Sequence, residues 1–175
     1  MSAASDMAPQ RTLAAGAVTL TTGELQRLLK PVLHFASTDE TVPVLGVVHL
    51  ALRGTWLVAE TTDRYRMAIQ RHRLTKTPKT FEGLLSVRDA RHLLALFKAP
   101  RGRGLDVVVS LHIADDGTLQ VTAVDGLTDF AAASWTYRLF TQAVYPKIPQ
   151  LMVEALQRVN NKGVKPIAMN ASFLG

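Results

Sequence analysis

Between Thr61 and Met67 the chain reads Thr-Thr-Asp-Arg-Tyr-Arg-Met, a cluster of hydroxyls, one carboxylate, two guanidiniums and a phenol close to apolar runs on both sides. Such a set can grip the polar groups of a ligand, or it can be a solvated strand end, and spacing alone leaves both open. Cations recur at helical spacing elsewhere: Arg27 and Lys30, then Arg88, Arg91 and Lys98. With a formal net charge of +6, the chain is drawn to polyanions, of which nucleic acid is the commonest. Exposed Arg and Lys on an amphipathic helix are also an ordinary solvated face. Residues suited to catalysis are scattered instead. His34, His49, His72, His92 and His112 form no pair at metal-ligand spacing, and the chain has no cysteine. Asp115, Asp116 and Asp125 precede glycines, where Asp serves turns through its backbone hydrogen bonds. Arg101-Gly102-Arg103-Gly104 lacks the Lys-Ser/Thr of a phosphate loop. We therefore expect no catalytic residue, no metal and no cofactor: a binding protein, not an enzyme.

The elements that must position these residues can be read from hydrophobic period. Val18-Thr19-Leu20 reads as a strand; Thr21 or Thr22 caps a helix with Glu24 in its first turn and Leu25, Leu28, Leu29 and Val32 on one face. Pro31 ends or kinks that helix near Lys30, and His34 to Val44 reads as a polar loop. Leu45 to Met67 reads as two strands joined at Arg53-Gly54, and a third runs from Ala68 to Leu74. After a connector containing Pro78, Phe81 to Leu85 is extended. Ser86 caps a second helix running through Lys98, with Ala90, Leu93, Leu94 and Phe97 buried. Strands then follow over Leu105 to Ile113, Thr118 to Val124 and Thr128 to Trp135. Strand, helix and three strands thus occur twice, over about 18–74 and 81–135, with Leu28-Leu29 matching Leu93-Leu94. The fold class is α+β, a duplicated βαβββ unit with two helices packed on antiparallel sheets.

At 175 residues and 47% apolar, the chain is long enough for one well-cored domain, and no run approaches a membrane span. Residues 1–17 read as a loose leader without the pattern of a secretory signal, which with the lack of cysteine suits the cytoplasm. A domain over 18–142 is followed by a linker over 143–163. Residues 164–175 read as the start of a further, truncated repeat, because Met169-Asn170-Ala171-Ser172-Phe173-Leu174 aligns with Leu20-Thr21-Thr22-Gly23-Glu24-Leu25.

The block from Leu45 to Met67 resembles the middle domain of the bacterial DNA polymerase III beta subunit, the sliding clamp. In that family a Leu-Asn-Gly-type strand leads into a Thr-Asp-Gly-His-Arg-Leu segment; here Leu45-Gly46 and Thr62-Asp63-Arg64-Tyr65-Arg66-Met67 take those places. Tyr145-Pro146-Lys147-Ile148-Pro149 resembles the family's Phe-Pro-Asp-Tyr element, so the resemblance runs from about Val18 to Leu156. It implies the DNA-clamp fold, with helices lining a central hole and sheets on the outer rim. It implies a pocket for a partner's short peptide walled by Leu45, Thr62, Arg64, Tyr65, Arg66, Met67, Pro146 and Leu151. Leu45, Met67, Pro146 and Leu151 would give its apolar floor, and Thr62 and Arg66 its polar contacts. Arg64-Tyr65 replaces a Gly-His pair, and Arg at the glycine position would narrow or re-aim the pocket. Double-stranded DNA would meet Arg27, Lys30, Arg88, Arg91 and Lys98, with Arg101 and Arg103 adding to the field. The implied partners are DNA polymerase and other proteins bearing clamp-binding peptides, a clamp loader, and further clamp domains or copies of the chain, with no membrane. The function implied is a processivity factor for DNA replication that tethers polymerase to duplex DNA. The alternative is a clamp-derived peptide-binding or regulatory module that does not encircle DNA.

Overall fold

The computed structural model describes residues 16–76, 80–98, 107–124, 131–140 and 144–161. The chain divides into two units, Met1–Tyr145 and Pro146–Gly175. In the first, the order is β1 (Val18–Thr21), α1 (Thr22–Leu29), β2 (Val47–Arg53), β3 (Trp56–Thr62), β4 (Met67–Arg73), β5 (Glu82–Ser86), α2 (Val87–Leu96), β6 (Val108–Ile113), β7 (Thr118–Val124) and β8 (Ala131–Arg138). This is a βαβββ run made twice. The loop expected over His34 to Val44 holds two short 3-10 turns, Val32–Phe35 and Pro43–Leu45. In the second unit, Ile148–Asn161 forms a helix, α3, inside the span expected as linker.

The strands do not stay with their own repeat. One antiparallel sheet runs β1-β6-β7-β8 and the other β4-β3-β2-β5. Each repeat thus lends its first strand to the other's sheet: Val18 pairs with Leu111, and Val48 with Leu85. Neither repeat can complete a four-stranded sheet alone, so the two must fold together.

Alternation along the strands selects the core. Val18, Leu20, Val48, Leu50, Leu57, Ala59, Val109, Leu111, Leu119 and Val121 join Leu25, Leu28 and Leu29 of α1 and Ala90 and Leu93 of α2 in a single buried cluster. Both helices start on side-chain caps. Thr21 and Glu24 form a reciprocal capping box on α1, and the Ser86 hydroxyl accepts from the Asp89 amide on α2. Helix α1 lies along the β4 side of its sheet, where Gln70 donates to the Arg27 carbonyl and His72 meets Glu24 at 3.6 Å. Helix α2 meets β8, with the Phe97 and Trp135 rings 5.0 Å apart and Tyr137 Oη 3.1 Å from His92 Nδ1.

Candidate functional site

Helices α1 and α2 are neighbours. The Gln26 side-chain amide, on α1, donates to the carbonyls of Leu94 and Phe97 at 2.9 and 2.7 Å, satisfying acceptors that α2 leaves open at its C-terminal end. Their apolar faces enter the core, so the remaining faces carry the charge. Arg27, Lys30, Arg88, Arg91 and Lys98 are all exposed, and none makes an ion pair among the described residues. The structure therefore brings Arg27, Arg88 and Arg91 onto an adjoining pair of helices, with Lys30 at the C-cap of α1 and Lys98 just past the end of α2. Arg101 and Arg103 lie outside the described residues.

The turn between β3 and β4 is the second candidate. Asp63 organises it: Oδ1 accepts from the Tyr65 and Arg66 amides, and Oδ2 receives the Arg66 guanidinium through Nε and Nη2 at 3.0 and 2.8 Å. These bonds from Arg66 hold the Asp63 carboxyl below its ordinary range. The Thr62 hydroxyl donates to the Arg66 carbonyl and accepts from the Arg64 amide. Thr62 and Arg66, expected to meet a ligand's polar groups, thus spend much of their capacity holding the turn itself. The Arg66 guanidinium also sits over the Phe35 ring, 5.7 Å from its centroid.

Arg64 has a φ of +82°, alone among the described non-glycine residues in that left-handed region. Its backbone adopts the conformation that glycine supplies without strain, and its side chain reaches Asp39 at 3.3 Å. Hydrogen bonds from Thr41 keep Asp39 acidic, and the Arg64 charge adds to them. Tyr65 stands at the tip of the turn, 89% exposed. Leu45 is buried and Met67 half-buried. Pro146 and Leu151 belong to the second unit, where Pro146 is half-buried and Leu151 exposed; α3 also exposes Val153 and Leu156.

A third arrangement escaped the sequence reading. Cross-strand pairing of His49 with Glu60 joins their side chains, Nδ1 lying 3.1 Å from Oε2, while His49 Nε2 lies 2.9 Å from Oε1 of Glu82 on β5. Tyr145 closes this cluster, its ring 4.9 Å from that of His49 and its hydroxyl donating to the Glu60 carbonyl. Burial pulls the His49 pKa down, but the bonds and charges of the two glutamates outweigh it, so the net shift is upward. Burial raises the Tyr145 phenol far above its usual range. The only signal in sequence was the presence of His49 and Glu60 in otherwise apolar strands. No group of His, Asp and Glu among the described residues could hold a metal ion.

No protein-family model matches the sequence, and no curated protein matches it. Solved structures do. The DNA polymerase sliding clamp from Bacillus subtilis superposes with a TM-score of 0.62 at 18% identity, over 94% of this chain and 43% of that one. The DNA polymerase III beta chain from Streptococcus pneumoniae gives 0.61 at 24%, over 85% and 37%. The chain has the sliding-clamp fold. A third clamp of this fold, from Pseudomonas aeruginosa and bound to griselimycin, gives 0.60 at 21%, over 77% and 32%. The chain therefore spans about a third to two fifths of the sliding clamps it matches. Among the described residues no helix is long and apolar enough to cross a membrane.

Proposed function

We propose that this chain is a sliding-clamp-like subunit, or part of one, that tethers DNA polymerase and other partner proteins to duplex DNA during replication. What carries the reading is the adjoining pair of helices presenting Arg27, Lys30, Arg88, Arg91 and Lys98 on the sliding-clamp fold. A clamp must slide, so it needs attraction to phosphates without base recognition. Long exposed cations on helix surfaces supply that attraction and fix no register. The task requires no bond chemistry, and we assign the chain no catalytic role. In this reading 18–142 acts as one clamp domain followed by the connecting span 143–163, and the expected repeat over 164–175 lies outside the described residues. Encirclement then needs further clamp domains or copies of the chain, delivery by a clamp loader, and a cytoplasmic setting. The test is duplex binding by the wild type and by an Arg27→Glu/Arg91→Glu variant. Loss of affinity on charge reversal is expected, and unchanged affinity overturns the assignment.

The Thr62–Met67 turn favours a second reading, a peptide-binding module without DNA encirclement. The hydrogen-bonded turn holds Tyr65 out at its tip, a side chain suited to anchoring a partner. Partner peptides would meet Leu45, Thr62, Arg64, Tyr65, Arg66 and Met67. Peptide binding abolished by Met67→Asp, in a protein with no duplex affinity, would establish this reading over the first.

A further inference from the structure

The register of the β4-β3-β2-β5 sheet lays out the face turned away from the helices. Trp56 pairs with Arg73 on one side and Arg53 on the other, and Arg71 is two residues from Arg73 on the same face. Arg71 lies over the Trp56 ring, 4.7 Å from its centroid. All three arginines are exposed, and none makes an ion pair among the described residues. Glu82 shares this face but is held by His49 at 2.9 Å. Cations gathered on one sheet face repel one another, and among the described residues no carboxylate pairs with them to offset that cost.

We propose that Arg53, Arg71 and Arg73 form a docking site for an extended acidic peptide segment of a partner protein, distinct from both surfaces assigned above. Arg71 and Arg73 stand about 7 Å apart along the strand, the spacing of alternate side chains in an extended peptide. Arg53 and Arg73 flank Trp56 about 10 Å apart across the strands. Stacking on Trp56 fixes the plane of Arg71 and leaves its N–H edge free for bidentate contact with a carboxylate. The same stacking occupies the indole face that a nucleobase would use, which disfavours single-stranded nucleic acid. Duplex DNA held by the helices would lie on the other side of the sheet.

The experiment titrates a labelled peptide of alternating glutamate and glycine into the whole chain at low salt, followed by anisotropy. Arg53→Gln, Arg71→Gln and Arg73→Gln are each expected to weaken binding roughly two- to fivefold, the loss of one exposed charge contact. The glutamine version of the peptide should not bind, and Arg27→Gln should leave affinity unchanged. Thermal melts establish that each variant is folded. Wild-type affinity in all three variants, or an equal loss in Arg27→Gln, overturns the site. Tighter binding of oligothymidylate that the same three substitutions abolish overturns the peptide as occupant. Either failure leaves duplex binding at the helices unaffected.

Discussion

His49 ties three strands together through two carboxylates, so its protonation state is a stability term. A neutral imidazole has one N–H and can donate to Glu60 or Glu82 but not both; the imidazolium serves both. Its folded pKa lies above the ordinary 6.5, despite burial, because the two glutamates favour the charged ring. The stabilisation is therefore complete below pH 6.5 and fades as pH rises through the raised folded value. Urea unfolding midpoints should fall on that alkaline side, and His49→Gln should flatten this dependence. Parallel profiles for both proteins would refute the linkage. His49→Ala should cost about 3 kcal/mol, since it leaves Glu60 buried without its cation. Arg64 supplies a second test at this scale. A β-branched side chain at a φ of +82° is strained, so Arg64→Val should lose about 1–2 kcal/mol in chemical denaturation while Arg64→Gly should lose nothing. Equal losses would show that the Asp39 contact, and not the backbone, is what matters at this position.

Helix starts depend on short-range chemistry, and there the sequence was explicit. Ser86, three residues before Asp89, is the cap expected, and of the two threonines the sequence offers for α1 the structure uses Thr21, three before Glu24. Thr21→Ala should cost about 1 kcal/mol, as a shift in urea midpoint with unchanged slope. No shift would mean that Glu24 alone holds the end. Strands were legible for a similar reason, since Thr118–Val124 alternates after a turn signal and Trp56-Leu57-Val58-Ala59 is a short apolar run after Arg53-Gly54. Their partners were not. Nothing near Val18–Thr21 announces that it pairs with Val108–Leu111 some ninety residues on, because pairing partners are a property of the assembled core. The same gap hid the His49–Glu60–Glu82 cluster, whose members become neighbours only through register. Helix α3 was missed because Pro146 and Pro149 read as linker, although Pro149 falls in its first turn, where no intrahelical donor is lost. The departure at Arg64 was visible as a sequence difference, but its left-handed backbone was not.

Whether the molecule acts as a clamp turns on how its charges meet DNA together. One clamp domain cannot surround a duplex, so action by closure needs further clamp domains or the association of copies into a ring. Sedimentation showing only monomer at micromolar concentration would exclude a ring built from this chain alone. Binding without closure is separable through counterion release. If the five cations on and beside the helices all contact phosphates, the logarithm of affinity should fall with the logarithm of salt at a slope of about −4.5. Replacing Arg27 and Arg91 with Gln should make that slope shallower by about 1.8, whatever the DNA sequence. Changing Arg53 and Arg73, on the opposite face of the β4-β3-β2-β5 sheet, should leave it unaltered. A slope that responds equally to both pairs would mean that DNA senses the net charge of +6 and no particular surface, leaving the helices without a role of their own.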